Sequence, residues 1–253
     1  MTLQRERNAI LALLLILAAV AWALLVWQST MLSPMSMGLT MGMGAVLFLA
    51  IWVVMMVAMM FPTAAPMILM FARVHRDKRA GGKAFVPTWV FVSAYLLLWT
   101  LFGVLAYVGA VEAGRLAQQV PWLAAHAPQI GGGVLALAGL YQLSPLKRSC
   151  LAKCRTPLDF VLGSWRDGYL GSFRMGLEHG VYCLGCCWLL FVIFFPLGMM
   201  NVAAMAVVTL LIFAEKSFPL GQRIAQLAAV ALIIYGAVVV FVPGALPLGQ
   251  TGM

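Results

Sequence analysis

The stretch "FRMGLEHGVYCLGCCWLLFVIFFP", residues 173–196, is long and apolar enough to cross a bilayer, yet it places a histidine and three cysteines on adjacent turns. A run of this length reads as a transmembrane helix. The chain around it decides whether that reading is general and on which side of a membrane the thiols lie.

The 253 residues are 64% hydrophobic and 9% charged, far below the quarter of charged residues usual in soluble domains, and mean hydropathy is +1.02. The expected fold is all-α, a polytopic bundle of about seven transmembrane helices. Their spans are Ala9–Trp27, Ala45–Phe71, Val86–Val111, Ile130–Leu143, Phe173–Pro196, Met199–Ala214 and Ile224–Val242, the fourth being the shortest. The first apolar run is longer than a signal-peptide core, and no small-x-small cleavage site follows, so it is read as a retained anchor. Residues 1–253 form a single integral membrane domain, with a cytoplasmic loop over 147–172 between helices four and five. That loop holds Pro157, Gly163, Gly168 and Gly171 and reads as a structured loop or a short amphipathic piece at the interface. Gly131, Gly132 and Gly133 would let helix four approach a neighbour closely, within the chain or between chains.

A net charge of +9 suggests nucleic acid until its distribution is followed. Arg5 and Arg7 precede helix one, and Arg73, Arg76, Lys78, Arg79 and Lys83 follow helix two. Lys147, Arg148, Lys153, Arg155, Arg166 and Arg174 lie around the fourth loop, and Lys216 and Arg223 around the sixth. With seven crossings, fifteen of the sixteen basic residues fall on one side and only Arg115 on the other. Positive residues favour cytoplasmic loops, so the amino terminus is expected in the cytoplasm and the terminal "PGALPLGQTGM" outside, with the bilayer rather than nucleic acid as partner.

In that topology His179, Cys183, Cys186 and Cys187 occupy the cytoplasmic half of helix five. At about 100° per residue they fall within an arc of about 100°, the arrangement converging ligands require. Cys150 and Cys154, four apart in "SCLAKC", lie on the same side, so all five cysteines face a reducing compartment that disfavours disulfides. Thiolates with imidazole suit Cu(I), zinc or an iron–sulfur cluster, whereas a lone cysteine is more often a small buried apolar residue. Glu178 reads either as an intramembrane functional carboxylate or as an interfacial partner of Arg174.

Helix two carries a second soft-donor pattern. Met55, Met56, Met59, Met60, Met67 and Met70 share one side of an ideal helix, beside Pro62 and Pro66, which free backbone carbonyls that Thr63 could reach. Met31, Met35, Met37, Met41 and Met43 precede this helix, and Met199 and Met200 stand at another outer turn. Thioethers favour Cu(I) and form no disulfides, although methionine is also a common packing residue. Methionines outside and thiols inside would build a directed path for a soft ion.

The stretches "MMVAMMFPTAAPM" (55–67), "YQLSPLKRSCLAKCRTPL" (141–158), "GLEHGVYCLGCCW" (176–188), "GMMN" (198–201) and the pair Glu215–Lys216 resemble the family of predicted metal-binding integral membrane proteins, a bacterial group with a domain of unknown function. The resemblance runs from helix two to the end of helix six. It implies a multi-pass protein of the bacterial inner membrane whose metal site is Cys150, Cys154, His179, Cys183, Cys186 and Cys187. The expected function is copper binding, extending to Cu(I) transport along methionines and onward to a cytoplasmic metallochaperone. The alternative is a membrane thiol–disulfide oxidoreductase using the same cysteines, in which only Cys183 and Cys186 have the tight redox spacing. A retinal protein is excluded, because Ile224–Val242 contains no lysine for a Schiff base. Hydrolytic catalysis has little support: His75 and His126 read as loop residues with no serine–histidine–acid set.

Overall fold

The computed structural model describes residues 3–31, 39–40, 42–80 and 86–246. Met35, Met37, Met41, Lys83 and the last seven residues of the chain lie outside them. Among the described residues the order is α1 (Leu3–Met31), α2 (Ala45–Ala80), α3 (Thr88–Gln119), α4 (Pro121–Ala125), α5 (Ala127–Gln142), α6 (Pro145–Arg155), α7 (Pro157–Gly163), α8 (Gly168–Val192), α9 (Phe194–Leu197), α10 (Val202–Ser217) and α11 (Gly221–Phe241), with a 3-10 turn at Pro243–Ala245. The fold is all-helical. Five segments are long and apolar enough to cross a membrane: α1, α2, α3, α8 continued through α9, and α11. The expected fourth and sixth spans fall on α5 and α10, which have 16 residues each. Each is thus about 24 Å long against a hydrocarbon core of roughly 30 Å.

Lipid offers no hydrogen bonds, so the bundle must satisfy every opened backbone group itself. α2 continues unbroken through Pro62 and Pro66. Pro62 lacks the amide that would bond the carbonyl of Ala58, and the Trp22 indole of α1 donates to that carbonyl instead, at 3.1 Å. Thr63 does not fill this role: its hydroxyl donates to the carbonyl of Met60 at 3.0 Å. Glycines set the closest helix contacts. A Cβ on Gly132 would stand 2.7 Å from the carbonyl oxygen of Gly236, so α5 and α11 touch backbone to backbone within this chain. Gly176 likewise lies against the Phe91 carbonyl and seats the ligand-bearing face of α8 on α3.

The basic ends of the helices gather at one end of the bundle. Arg76 pairs with Glu6 at 2.7 Å, His75 packs edge-on to Trp165, and Arg155 donates to the carbonyl of Phe218 at 2.7 Å. Arg115 pairs with Glu112 towards the other end of α3. His75 belongs to α2 rather than a loop, and its Nε2 accepts from the Val86 amide at 2.9 Å. His126 caps the short α4.

The expected cytoplasmic loop is mostly helix. Ser144 caps α6 by accepting from the Lys147 amide, Pro145 opens it, and one face buries Lys147, Cys150, Leu151 and Cys154. Lys147 is therefore no exposed loop cation. Its ammonium is 1% exposed and bonds Glu215 of α10 at 2.7 Å and the Gln142 amide oxygen of α5. Gln142 in turn donates to Glu215 at 2.9 Å. This network ties α5, α6 and α10 together at the ends of the two short helices.

A buried ion pair costs most when one partner is removed. Lys147→Met is expected to destabilise the protein by about 3 kcal/mol, and Lys147→Met combined with Glu215→Leu to recover most of that loss. Thermal unfolding in detergent reads both, and a single variant as stable as wild type would remove the network from the account of stability.

Candidate metal centre

The sulfur chemistry is built on α8. Spacings of three and four residues stack Cys183, Cys186 and Cys187 on one face, and their three Sγ atoms lie within 4.8 Å of one another, all buried. Three sulfurs bound at about 2.3 Å around one ion would stand about 4 Å apart, so the trio is near ligand geometry. The Cys186 and Cys187 thiols donate back to the Cys183 carbonyl at 3.1 and 2.8 Å. All five cysteines are free thiols.

Two other helices reach Cys183. The Tyr95 hydroxyl of α3 lies 3.1 Å from its sulfur, and the Lys216 ammonium of α10 donates to the same sulfur at 3.1 Å. The neighbouring carboxylate of Glu215 is engaged by Lys147, which leaves the Lys216 charge directed at the thiol cluster. A cation there stabilises whatever negative charge the sulfurs carry.

α6 brings its two thiols to the same place. The Cys150 sulfur lies against Gly185, where a Cβ would meet it at 2.7 Å, so glycine between the cysteines of α8 makes room for it. Cys154 faces Cys183 and Cys186, and hydrogen bonding with those sulfurs, reinforced by burial, raises its pKa well above the usual thiol range. Burial raises Cys150 as well. Both flank the trio from α6.

His179 is placed differently. Its ring stacks on Phe91 and Tyr95, with centroids 5.8 and 5.4 Å away, and meets Phe160 of α7 at 5.7 Å. Both ring nitrogens are buried without a hydrogen-bond partner. A buried imidazole with both nitrogens orphaned is a donor that suits a soft ion. Glu178 points elsewhere, 3.5 Å from both Arg166 and Arg174, so the ion-pair reading describes it. Met55, Met56, Met59, Met60 and Met67 are all 2% exposed or less and pack in the core, Met199 is buried, and Met70 and Met200 are half-buried.

Tyr95 and Lys216 are the contacts that sequence reasoning missed. Tyr95 gives no signal in an apolar helix. The Glu215–Lys216 pair at the end of one did give a signal, since ionisable residues there need partners.

Residues 49–239 match the family model PpoB2, described as a copper chaperone. No curated protein and no solved structure matches the chain.

Groups just outside a metal's ligands typically change affinity ten- to a hundredfold when removed. Lys216→Met is expected to weaken soft-metal binding at least tenfold by that rule, with Lys216→Arg staying near wild type. Competition against a chromogenic Cu(I) chelator measures it, and equal affinities for wild type and Lys216→Met would deny the ammonium a part in the site.

Proposed function

The chain belongs to the PpoB2 copper-chaperone family, and on that premise we propose that it binds Cu(I) as cargo within the membrane and hands it on at the thiol end of the bundle. The trio Cys183, Cys186 and Cys187 carries this reading, because buried sulfurs within 4.8 Å of one another offer a monovalent soft ion the ligands it prefers. Binding releases thiol protons, and Lys216 offsets the negative charge that results. Cys150 and Cys154 stand beside the trio as donors of next resort, on a short helix that leaves the bundle at its basic end.

The buried methionines of α2, with Met199 and Met200, form the weaker-binding approach in this reading: uncharged thioethers deliver the ion to thiolates that hold it more firmly. α5 and α10 act as the short fourth and sixth of seven crossings, with α6 and α7 packed beneath them. The amino terminus and the thiols are then cytoplasmic, the carboxyl terminus is outside, and the membrane is the bacterial inner one. Support comes from the meeting of the basic ends of α1, α2, α6 and α8 at the thiol end. A cytoplasmic metallochaperone is the acceptor that this orientation calls for.

The full chain, purified in detergent under reducing conditions, is expected to retain copper in preference to zinc and iron. The Cys183→Ser, Cys186→Ser, Cys187→Ser variant is expected to lose it. Elemental analysis by mass spectrometry decides the matter; equal copper in the two proteins, or zinc in place of copper, would overturn the assignment.

A further inference from the structure

His179 stands outside the close group formed by the three thiols. Ligands on a single ion at about 2.3 Å for sulfur and 2.0 Å for nitrogen cannot stand more than about 4.3 Å apart. The sulfurs of the trio are all within 4.8 Å of one another, and the His179 nitrogens are not part of that close group among the described residues. Yet both nitrogens are sealed from solvent, in a residue 3% exposed, with nothing to bond.

The face of α8 that carries the thiols continues past His179 towards the start of the helix. Met175 is one turn before His179 and Ser172 nearly two, so all three share the stripe of Cys183 and Cys186. Met175 is fully buried, and the Ser172 hydroxyl is likewise buried without a partner. The rings of Phe91, Tyr95 and Phe160 wall His179. Residues four apart are neighbours on one helix face, so a thioether and an imidazole so placed can reach a common ion; the pair suffices for two-coordinate Cu(I) and suits no hard cation.

We propose that Met175 and His179 form a second, weaker Cu(I) station on α8, separate from the thiol trio and one turn nearer the basic end. It rests on the reading that the trio takes Cu(I) and adds the step by which the ion leaves. An ion passing from thiolates to a thioether–imidazole pair moves to weaker ligands, so release at the basic end needs no opening of the trio to solvent.

The test is anaerobic titration of the full-length protein with Cu(I) against a chromogenic chelator, with X-ray absorption at each equivalent. Wild type is expected to take a tight equivalent with a sulfur shell, then a weaker one whose shell contains nitrogen. His179→Phe, which fills the aromatic box with a ring of similar size, should lose the weaker equivalent and leave the tight one unchanged. Met175→Leu should weaken the second equivalent at least tenfold. The triple serine variant of the trio, which carries no copper through purification, should still take up the weaker, nitrogen-containing equivalent alone on titration. The proposal is overturned if nitrogen appears in the shell of the first equivalent and vanishes in His179→Phe, since His179 then belongs to the trio. It is equally overturned if His179→Phe and Met175→Leu bind copper as wild type does. Both of those results leave the trio's role standing, whereas a wild-type protein that takes up no Cu(I) overturns the function and the second station together.

Discussion

An ammonium group inside an apolar bundle has to be matched by something negative or strongly accepting, and this protein does so twice at one level. Lys147 is matched by the carboxylate of Glu215, and Lys216, the next residue along α10, by the sulfur of Cys183. Consecutive residues on a helix point about 100° apart, so the end of α10 reaches α6 with one side chain and α8 with the other. Through Lys147 the short helix α6 is clamped in place, and with it Cys150 and Cys154. The polar chemistry of this end of the bundle thus hangs on one turn of α10.

That turn falls where it does because α5 and α10 are short. They stop level with Cys183 and Gly185, as the Tyr141–Gly185 and Lys216–Cys183 contacts show, while α8 continues towards the basic end. The space beside it is filled by α6 and α7, which carry two more thiols and the ring of Phe160 against His179. A second thiol-bearing helix can therefore pack beside α8 while being, at 11 residues, too short to cross a membrane itself. Large aliphatic side chains such as Leu105, Leu210 and Leu227 face outward around the bundle, as lipid solvation requires.

The arrangement also separates two kinds of donor. Sulfur that can lose a proton lies where a lysine and a tyrosine hydroxyl are at hand, and thioether sulfur lies along α2 among apolar neighbours. The distinction is one of charge. A thiolate in a dry bundle needs a cation or a donor beside it, and a methionine needs neither.

Periodicity along the chain was enough to identify an all-helical fold with segments apolar enough to cross a membrane and to align Cys183, Cys186 and Cys187 on one helix face, because both follow from side-chain polarity and the pitch of a helix. It left the segment of Cys150 and Cys154 open between a structured loop and a short amphipathic piece, and the fold makes it the helix α6 with both thiols buried on one face. Periodicity did not reveal that Lys147 is buried, since a lysine among arginines after an apolar run looks like any solvated loop. Nor did it link Tyr95, 88 residues away, or Lys216, 33 residues away, to Cys183. His179 shares the helix face of the thiols, yet tertiary packing slid its ring between Phe91, Tyr95 and Phe160. Local pattern fixes which side chains share a face; which groups then meet across helices depends on crossing points set by glycines and helix lengths, and those exist only once the bundle has assembled.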